Sequence, residues 1–330
     1  MTGRARVAHR SQGAKAVHGS DTAEEDEETR TAQTGCPGRR NPECKRASER
    51  MGSTRSLQMR RASHGKARGG GDVLPPAGAG PGSHSAAGAR TRLLVDGHVH
   101  VHAGYDRSRF LSAAADNLSR FGDGLPTLLL AEMGDDNVFE GWRGGDAPWP
   151  LTRTDEGESL FLGSRMLVVA GRQIVTAERI EVLALLTAEH FPDGRPLSEI
   201  LEAIKAAGAI AVLPWGVGKW LGRRGREVAA AAARHEVFMG DNAGRPVGWP
   251  APKPFRERPV LPGTDPLRLP GQEGVVGTFG FAMLCDLDAR RPAATIRAAL
   301  RNLEGSPDSF GRRTGPIGFV RQQIGLRLKQ

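Results

Sequence analysis

Residues 95 to 102 read Val-Asp-Gly-His-Val-His-Val-His, three histidines alternating with valines. In a β-strand successive side chains point to opposite faces, so His98, His100 and His102 share one face. Val95, Val99 and Val101 share the other face or its edge. Three imidazoles on one face make either a metal site or a stripe of hydrogen-bonded histidines lining a polar cavity. What the rest of the chain can bring to that face decides between them.

The chain of 330 residues is long enough for two average domains or one large α/β barrel. Its composition divides it sharply. Residues 1 to 90 hold few large aliphatics (Val7, Val17, Leu57, Val73, Leu74 and three methionines), and no Phe, Trp or Tyr precedes Tyr105. Such a segment buries too little apolar surface to offset its ordering entropy, which predicts a disordered tail. It lacks the apolar stretch of a signal peptide. The plainer account of it is an over-extended reading frame, with Met51 and Met59 as alternative starts, or a solvated leader.

Charge follows the same division. Residues 1 to 90 carry 16 Lys and Arg against 9 Asp and Glu, so they hold +7 of the formal +9. The remainder is nearly balanced, which argues against a folded nucleic-acid surface and leaves only weak, non-specific binding through the tail. Cys36, Cys44 and Cys285 match no zinc spacing and no disulfide framework, and Cys285 reads as a buried thiol. No apolar run is long enough to span a bilayer, so the expectation is a soluble cytoplasmic protein without a membrane partner.

From residue 91 onward strand and helix signals alternate. Strands are predicted at 92–101, 127–132, 166–170, 180–186, 209–214, 236–240, 259–262 and 278–284, and helices at 107–121, 197–207, 225–235 and 292–303. The helix from Leu197 has Ser198 near its start and Gly208 just past its end, the usual punctuation. The stretch 134–158 reads as a long loop or insertion. This alternation predicts a parallel α/β arrangement in a single domain over 91–330, a closed or distorted barrel rather than two domains.

In such folds the reactive groups sit where strands end. The first strand ends in the histidines, and the second, TLLLAEM, ends in Glu132. LPWGVGKW places Trp215 and Lys219 in a Gly-rich turn, MGDNAGRP supplies Asp241, Asn242 and Arg245, and LPGTDP supplies Thr264 and Asp265. The turn WGVGKWLGRRGR is either an anion site at a helix start or a solvated basic turn. Asn242 and Arg245 are either substrate contacts or an Asx-type turn with a structural ion pair. Glu178 and Glu181, near Arg172 and Arg179, read as a salt-linked hairpin.

Asp96, His98 and His100 resemble the Asp-x-His-x-His opening of the PHP family, the polymerase-and-histidinol-phosphatase metal-dependent phosphoesterases; amidohydrolases open with a similar His-x-His. Residues 263–266, Gly-Thr-Asp-Pro, resemble the closing Gly-Ser-Asp-x-His segment of that family. The stretches VVAGRQIVTAERIEVLALL at 168–186 and HFPDGRPLSEILEAIKAAGAIAVLPW at 190–215 are similar to its middle segments, in the same order. The resemblance covers roughly 92 to 284 and implies a distorted barrel of seven strands. Where the family has a bridging glutamate this chain has Gln173. Its histidine after the middle strand has Glu181 as the nearest candidate, its late histidine is Trp215, and its last His-containing motif ends in Leu267. The resemblance therefore implies a reduced site rather than a three-metal one.

That reduced site has His98, His100 and Asp265 holding one divalent ion (zinc, manganese or iron), with Glu132 or Asp106 as a further ligand. Glu132 is alternatively a base, or the partner of an arginine. His102 is expected either to support the ligands from outside or to be a loop residue. Lys219, Asp241, Asn242, Arg245 and Trp215 would orient a small anionic, phosphorylated substrate. An ion with open positions polarises a phosphoryl oxygen and acidifies water, so the expectation is phosphoester hydrolysis, with a catalytically degenerate ligand-binding barrel as the alternative.

Overall fold

The computed structural model describes residues 90–163 and 166–328. The expected disordered tail, Arg90 apart, lies outside the described residues together with Cys36 and Cys44.

The chain opens with β1 (Thr91–Val99), α1 (Arg107–Ser119), β2 (Leu125–Leu130) and the short β3 (Glu132–Met133). A single turn, α2 (Val138–Gly141), runs into a π-helical turn, and the hairpin of β4 (Leu151–Arg153) and β5 (Ser159–Leu162) leads to β6 (Met166–Val169). The hairpin of β7 (Gly171–Val175) and β8 (Glu181–Leu185) precedes α3 (Leu197–Ala206), β9 (Ile210–Pro214) and α4 (Gly222–Arg234). The chain continues through β10 (Phe238–Asn242), β11 (Val260–Gly263), β12 (Phe279–Cys285), α5 (Pro292–Arg301), β13 (Asp308–Gly311) and α6 (Pro316–Arg327).

The fold is mixed α/β with two sheets. One has the order β13-β12-β1-β2-β6-β5-β4, the other β11-β10-β9-β8-β7-β3. Pairing is not uniformly parallel, contrary to the sequence expectation. β1, β2 and β6 are parallel neighbours, as are β9, β10 and β11, but β7–β8, β8–β9 and β1–β12 are antiparallel. The β7–β8 link is too short for the crossover that parallel neighbours require.

The described strands are hydrogen-bonded as two sheets and not as the single closed ring expected. β2 and β6 pass through single residues, Ala131 and Ala170, into β3 and β7 of the second sheet. At the opposite edge β1 meets β11 through one backbone bond, from the Asp265 N–H to the His98 carbonyl at 2.8 Å. The Asp96 carboxylate takes the Thr264 N–H at 2.8 Å, so that donor is not available to a strand ladder. Two glycines allow the approach. A Cβ on Gly263 would lie 2.2 Å from the His98 nitrogen, and one on Gly97 would lie 2.7 Å from the Pro262 oxygen.

β1 is buried on both faces, which explains the consecutive apolar residues Leu93, Leu94 and Val95. Leu93 and Val95 join the core shared by Leu183, Val212, Phe281 and Ile296, while Leu94 packs with Phe110 and Leu111 of α1. A register shift between Asp96 and Val99 turns Val99 and Val101 to the α1 side too, so they do not share the face of Val95 as expected. Helix α3 buries Leu197, Ile200, Leu201 and Ile204 on one stripe and stops at Gly208, whose φ of +68° is the left-handed conformation glycine adopts without strain. Its start is capped by the Glu178 carboxylate, which accepts from the Leu197 N–H, and not by Ser198.

Residues 134–158 are not one loop: they contain α2, the π turn and β4, held by the buried Phe139 and Trp142. The strands β4, β5 and β13 and helix α6 were not anticipated. α6 buries none of its residues, so it has no apolar stripe facing a core for periodicity to detect. No helix among the described residues is long and apolar enough to cross a membrane.

Candidate metal centre

Three donors converge at the meeting of β1 and β11. The Nε2 atoms of His98 and His100 lie 3.0 Å apart, and Asp265 Oδ1 is 3.7 Å from the first and 3.4 Å from the second. Both histidines are buried, whereas the Asp265 side chain is 26% exposed. The cluster therefore opens to solvent on the carboxylate side.

The local chain explains the convergence. β1 ends at Val99, so His98 closes the strand while His100 and His102 follow it. Asp265 sits at a φ of +49°, a left-handed conformation that Asp tolerates better than most side chains. Its backbone N–H is held by His98 and its Oδ2 accepts from Asn242 Nδ2 at 2.9 Å. Asn242 also donates to the Trp215 carbonyl at 2.8 Å. These restraints leave Oδ1 facing the imidazoles.

Asp96 is the anchor beneath the site. It is fully buried and accepts from Thr264 N–H, Thr264 hydroxyl, Gly277 N–H and His98 N–H. Burial pushes its carboxyl up to about 6 in spite of these bonds. His102 and Tyr105 hold the loop beyond Asp265. His102 Nε2 bonds the Pro266 carbonyl at 3.0 Å, and the Tyr105 hydroxyl donates to the Leu267 carbonyl at 2.5 Å. His102 also stacks on His100, with ring centroids 5.5 Å apart. The alternation of histidines thus serves two ends, with His102 supporting rather than joining the cluster.

Burial lowers His98 to about 4, although the nearby Asp265 opposes it. Burial pushes Asp265 upward, but His98, His100 and Lys219 outweigh it and hold the carboxyl well below its usual range. At neutral pH His98 is a neutral imidazole and Asp265 an anion, the protonation states that ligand atoms require. In a tetrahedral site with arms of about 2.05 Å the donors stand about 3.3 Å apart. The three measured separations bracket that value, so the residues fit a single ion.

Gln173 approaches as a fourth donor. Its Oε1 lies 3.1 Å from His98 Nε2, and its amide nitrogen is directed to the Met133 sulfur at 3.4 Å. One expected outer contact is missing. His100 Nδ1 is buried without a partner, where a ligating imidazole usually donates to a carboxylate or carbonyl.

Of the other residues singled out in the sequence, Asn242 reaches the cluster through Asp265, and Asp106, Glu132, Asp241 and Arg245 are engaged elsewhere. Asp106 caps α1, accepting from the Arg109 N–H at 3.0 Å, because its short side chain satisfies a free helical donor. Glu132 is buried and accepts from the Phe139 N–H at 2.9 Å at the start of α2; burial raises its carboxyl. Asp241 and Arg245 form a buried bidentate pair with both distances 2.6 Å. Asp241 and Asn242 are neighbours on β10, so they face opposite ways and only Asn242 reaches Asp265.

Lys219 lines a 270 Å³ cavity together with Trp215, Asn242 and Asp265, but its ammonium is paired with Glu181. The expected salt-linked hairpin is therefore corrected. Glu181 serves Lys219 and Glu178 caps α3, while Arg172 binds the Asp136 carbonyl and the side chains of Asn137 and His190. In the basic turn, Arg224 binds the Gly218 carbonyl and Arg223 pairs with Glu227, which fits a solvated turn. Cys285 is buried and free.

No protein-family profile matches the chain, and no curated protein matches it. Among solved structures the chain is similar to PsfC from Pseudomonas syringae PB-5123, at 17% identity and a TM-score of 0.47, over 73% of this chain and 99% of that one. It is also similar to endonuclease Q, solved with a 27-mer duplex bearing an abasic lesion at its active site. There the identity is 12% and the TM-score 0.39, over 66% of this chain and 58% of that one. No family membership follows from likenesses at these scores.

Proposed function

We propose that the protein is a metal-dependent hydrolase of the PHP type, with a distorted barrel built from its two sheets, acting on a phosphoester of a small anionic molecule. The observation that carries this reading is the convergence of His98 Nε2, His100 Nε2 and Asp265 Oδ1 beside an open cavity. These three residues, with Gln173 as a neutral fourth donor, would hold one zinc, manganese or iron ion. Such an ion supplies Lewis-acid polarisation of a phosphoryl oxygen and acidification of water.

The chain's own residues then have separable tasks. Asn242 restrains Asp265 through Oδ2, and Asp96 holds the loop that carries it. Arg312 lines the cavity and presents positive charge to an anionic substrate, while the Lys219 ammonium on the same wall is paired with Glu181. The test is metal analysis and phosphatase assay of the full chain with p-nitrophenyl phosphate. One ion per chain and loss of both metal and turnover in His98→Ala are expected. Absence of stoichiometric metal, with hydrolysis unaltered in His98→Ala, overturns the reading.

A second reading is favoured by Glu132, the expected base, being taken up at the start of α2. In it the same fold binds an anionic ligand without turnover. Ligand binding that survives chelation, without any hydrolysis, supports this reading against the first.

A further inference from the structure

A larger cavity of about 920 Å³ lies against β10 and β11 on the side where Asp241 points. Three arginines line it, Arg245, Arg312 and Arg313, against one carboxylate, Asp241. Arg245 is engaged. It forks onto Asp241, donates to the Trp249 carbonyl at 2.9 Å and lies 5.5 Å from the centre of the Phe255 ring.

Arg312 and Arg313 are different. Among the described residues Arg312 makes no hydrogen bond or ion pair, and Arg313 Nη1 is buried with no partner. A buried guanidinium nitrogen without an acceptor is costly, and an anion in the cavity would remove that cost. Two guanidinium forks from consecutive residues suit a phosphate better than a carboxylate, because a phosphate has enough terminal oxygens to serve both. Phe255 and Phe279 provide an apolar wall in the same cavity.

We propose that Arg312 and Arg313 bind the phosphate of a small phosphomonoester whose apolar body lies against Phe255. The site needs no metal ion, since none of His98, His100 and Asp265 lines this cavity. Arg312 also lines the smaller cavity that holds Asp265, so it is a common wall of the two.

Calorimetric titration of the full chain with phenyl phosphate, in excess chelator, tests the assignment. Saturable binding is expected, with benzoate and inorganic phosphate both weaker. Arg312→Ala and Arg313→Ala should each weaken phenyl phosphate by about tenfold. Phe255→Ala should erase the advantage over inorganic phosphate, and His98→Ala should leave binding intact. Arg312→Lys/Arg313→Lys keeps the charge but loses the fork. It should fall between wild type and the double alanine variant, which separates loss of recognition from loss of fold. No saturable binding, or an unaltered affinity in the double alanine variant, overturns the proposal. Each of these results leaves the metal-centre reading standing.

Discussion

Asp265 is tied to His98 twice: its backbone N–H donates to the His98 carbonyl at 2.8 Å, and its Oδ1 stands 3.7 Å from the His98 Nε2. The backbone bond sets the distance between two strands while the side chains set the distance between two donors, so a disturbance of one is felt by the other. Removing a donor without altering the backbone separates the effects. Asp265→Asn keeps the size and the backbone bond but loses the anion. It should lower affinity for a divalent ion at least about tenfold, with little change in unfolding midpoint of the metal-free protein. Equal metal affinity in the variant would remove Asp265 from the ligand set.

Asp96 supports the site from below. Asp96→Ala leaves the N–H groups of Thr264 and Gly277 buried without acceptors, and a loss of about 2–4 kcal/mol is expected. Thr264→Val removes only the hydroxyl bond and should cost about 1 kcal/mol. Urea unfolding of both variants measures the two losses. Equal losses would mean that the hydroxyl, and not the two N–H groups, is the important partner.

Gly263 sets the approach of β11 to β1. Gly263→Ala places a methyl group 2.2 Å from the His98 nitrogen, so the strands must separate. A destabilisation of about 3 kcal/mol is expected. Gly104→Ala, which meets nothing within 4 Å, is the control. A Gly263→Ala protein as stable as that control contradicts the close packing.

Glu132 gives a pH dependence with a definite sign. Burial raises its carboxyl above the usual range in the folded chain, against the pull of the Phe139 N–H and Arg172. The native state then holds the proton more tightly than the unfolded state. Its contribution is complete below the unfolded carboxyl pKa of about 4.3 and is lost as pH rises through the raised native value. Asp96 acts in the same direction, so the informative quantity is the difference between wild type and Glu132→Gln. The variant should show a shallower fall of the urea midpoint with rising pH above about 4.3. Parallel curves would show that Glu132 does not titrate differently in the two states.

Much of the architecture was legible in residue patterns because burial imposes period. Helix α3 and strand β9 carry clean apolar patterns, and both, with β10, fall within a few residues of their expected bounds. His98, His100 and Asp265 were legible through a short motif and a resemblance at two ends of the chain. The expected residues that lie away from the cluster share a feature. Asp106, Glu132 and Arg245 are polar groups at element ends, where a cap, an internal bond and an ion pair look the same in sequence as a ligand. The free arginines 312 and 313 lacked any local signal, because what distinguishes them is the absence of a nearby acceptor in space.

The separation of His98 from Asp265 also has a consequence during synthesis. The two residues stand 167 positions apart, with α3, α4 and most of both sheets between them. At roughly 5–20 residues per second, His98 and His100 wait about 10 to 30 s for their carboxylate partner to be made. An ion gripped by all three would enter late, after the intervening strands have emerged, and would act as a clasp over a loop of that length. Chain-closure entropy grows slowly with length but is already large here, so the clasp would favour the finished fold over its partly assembled forms.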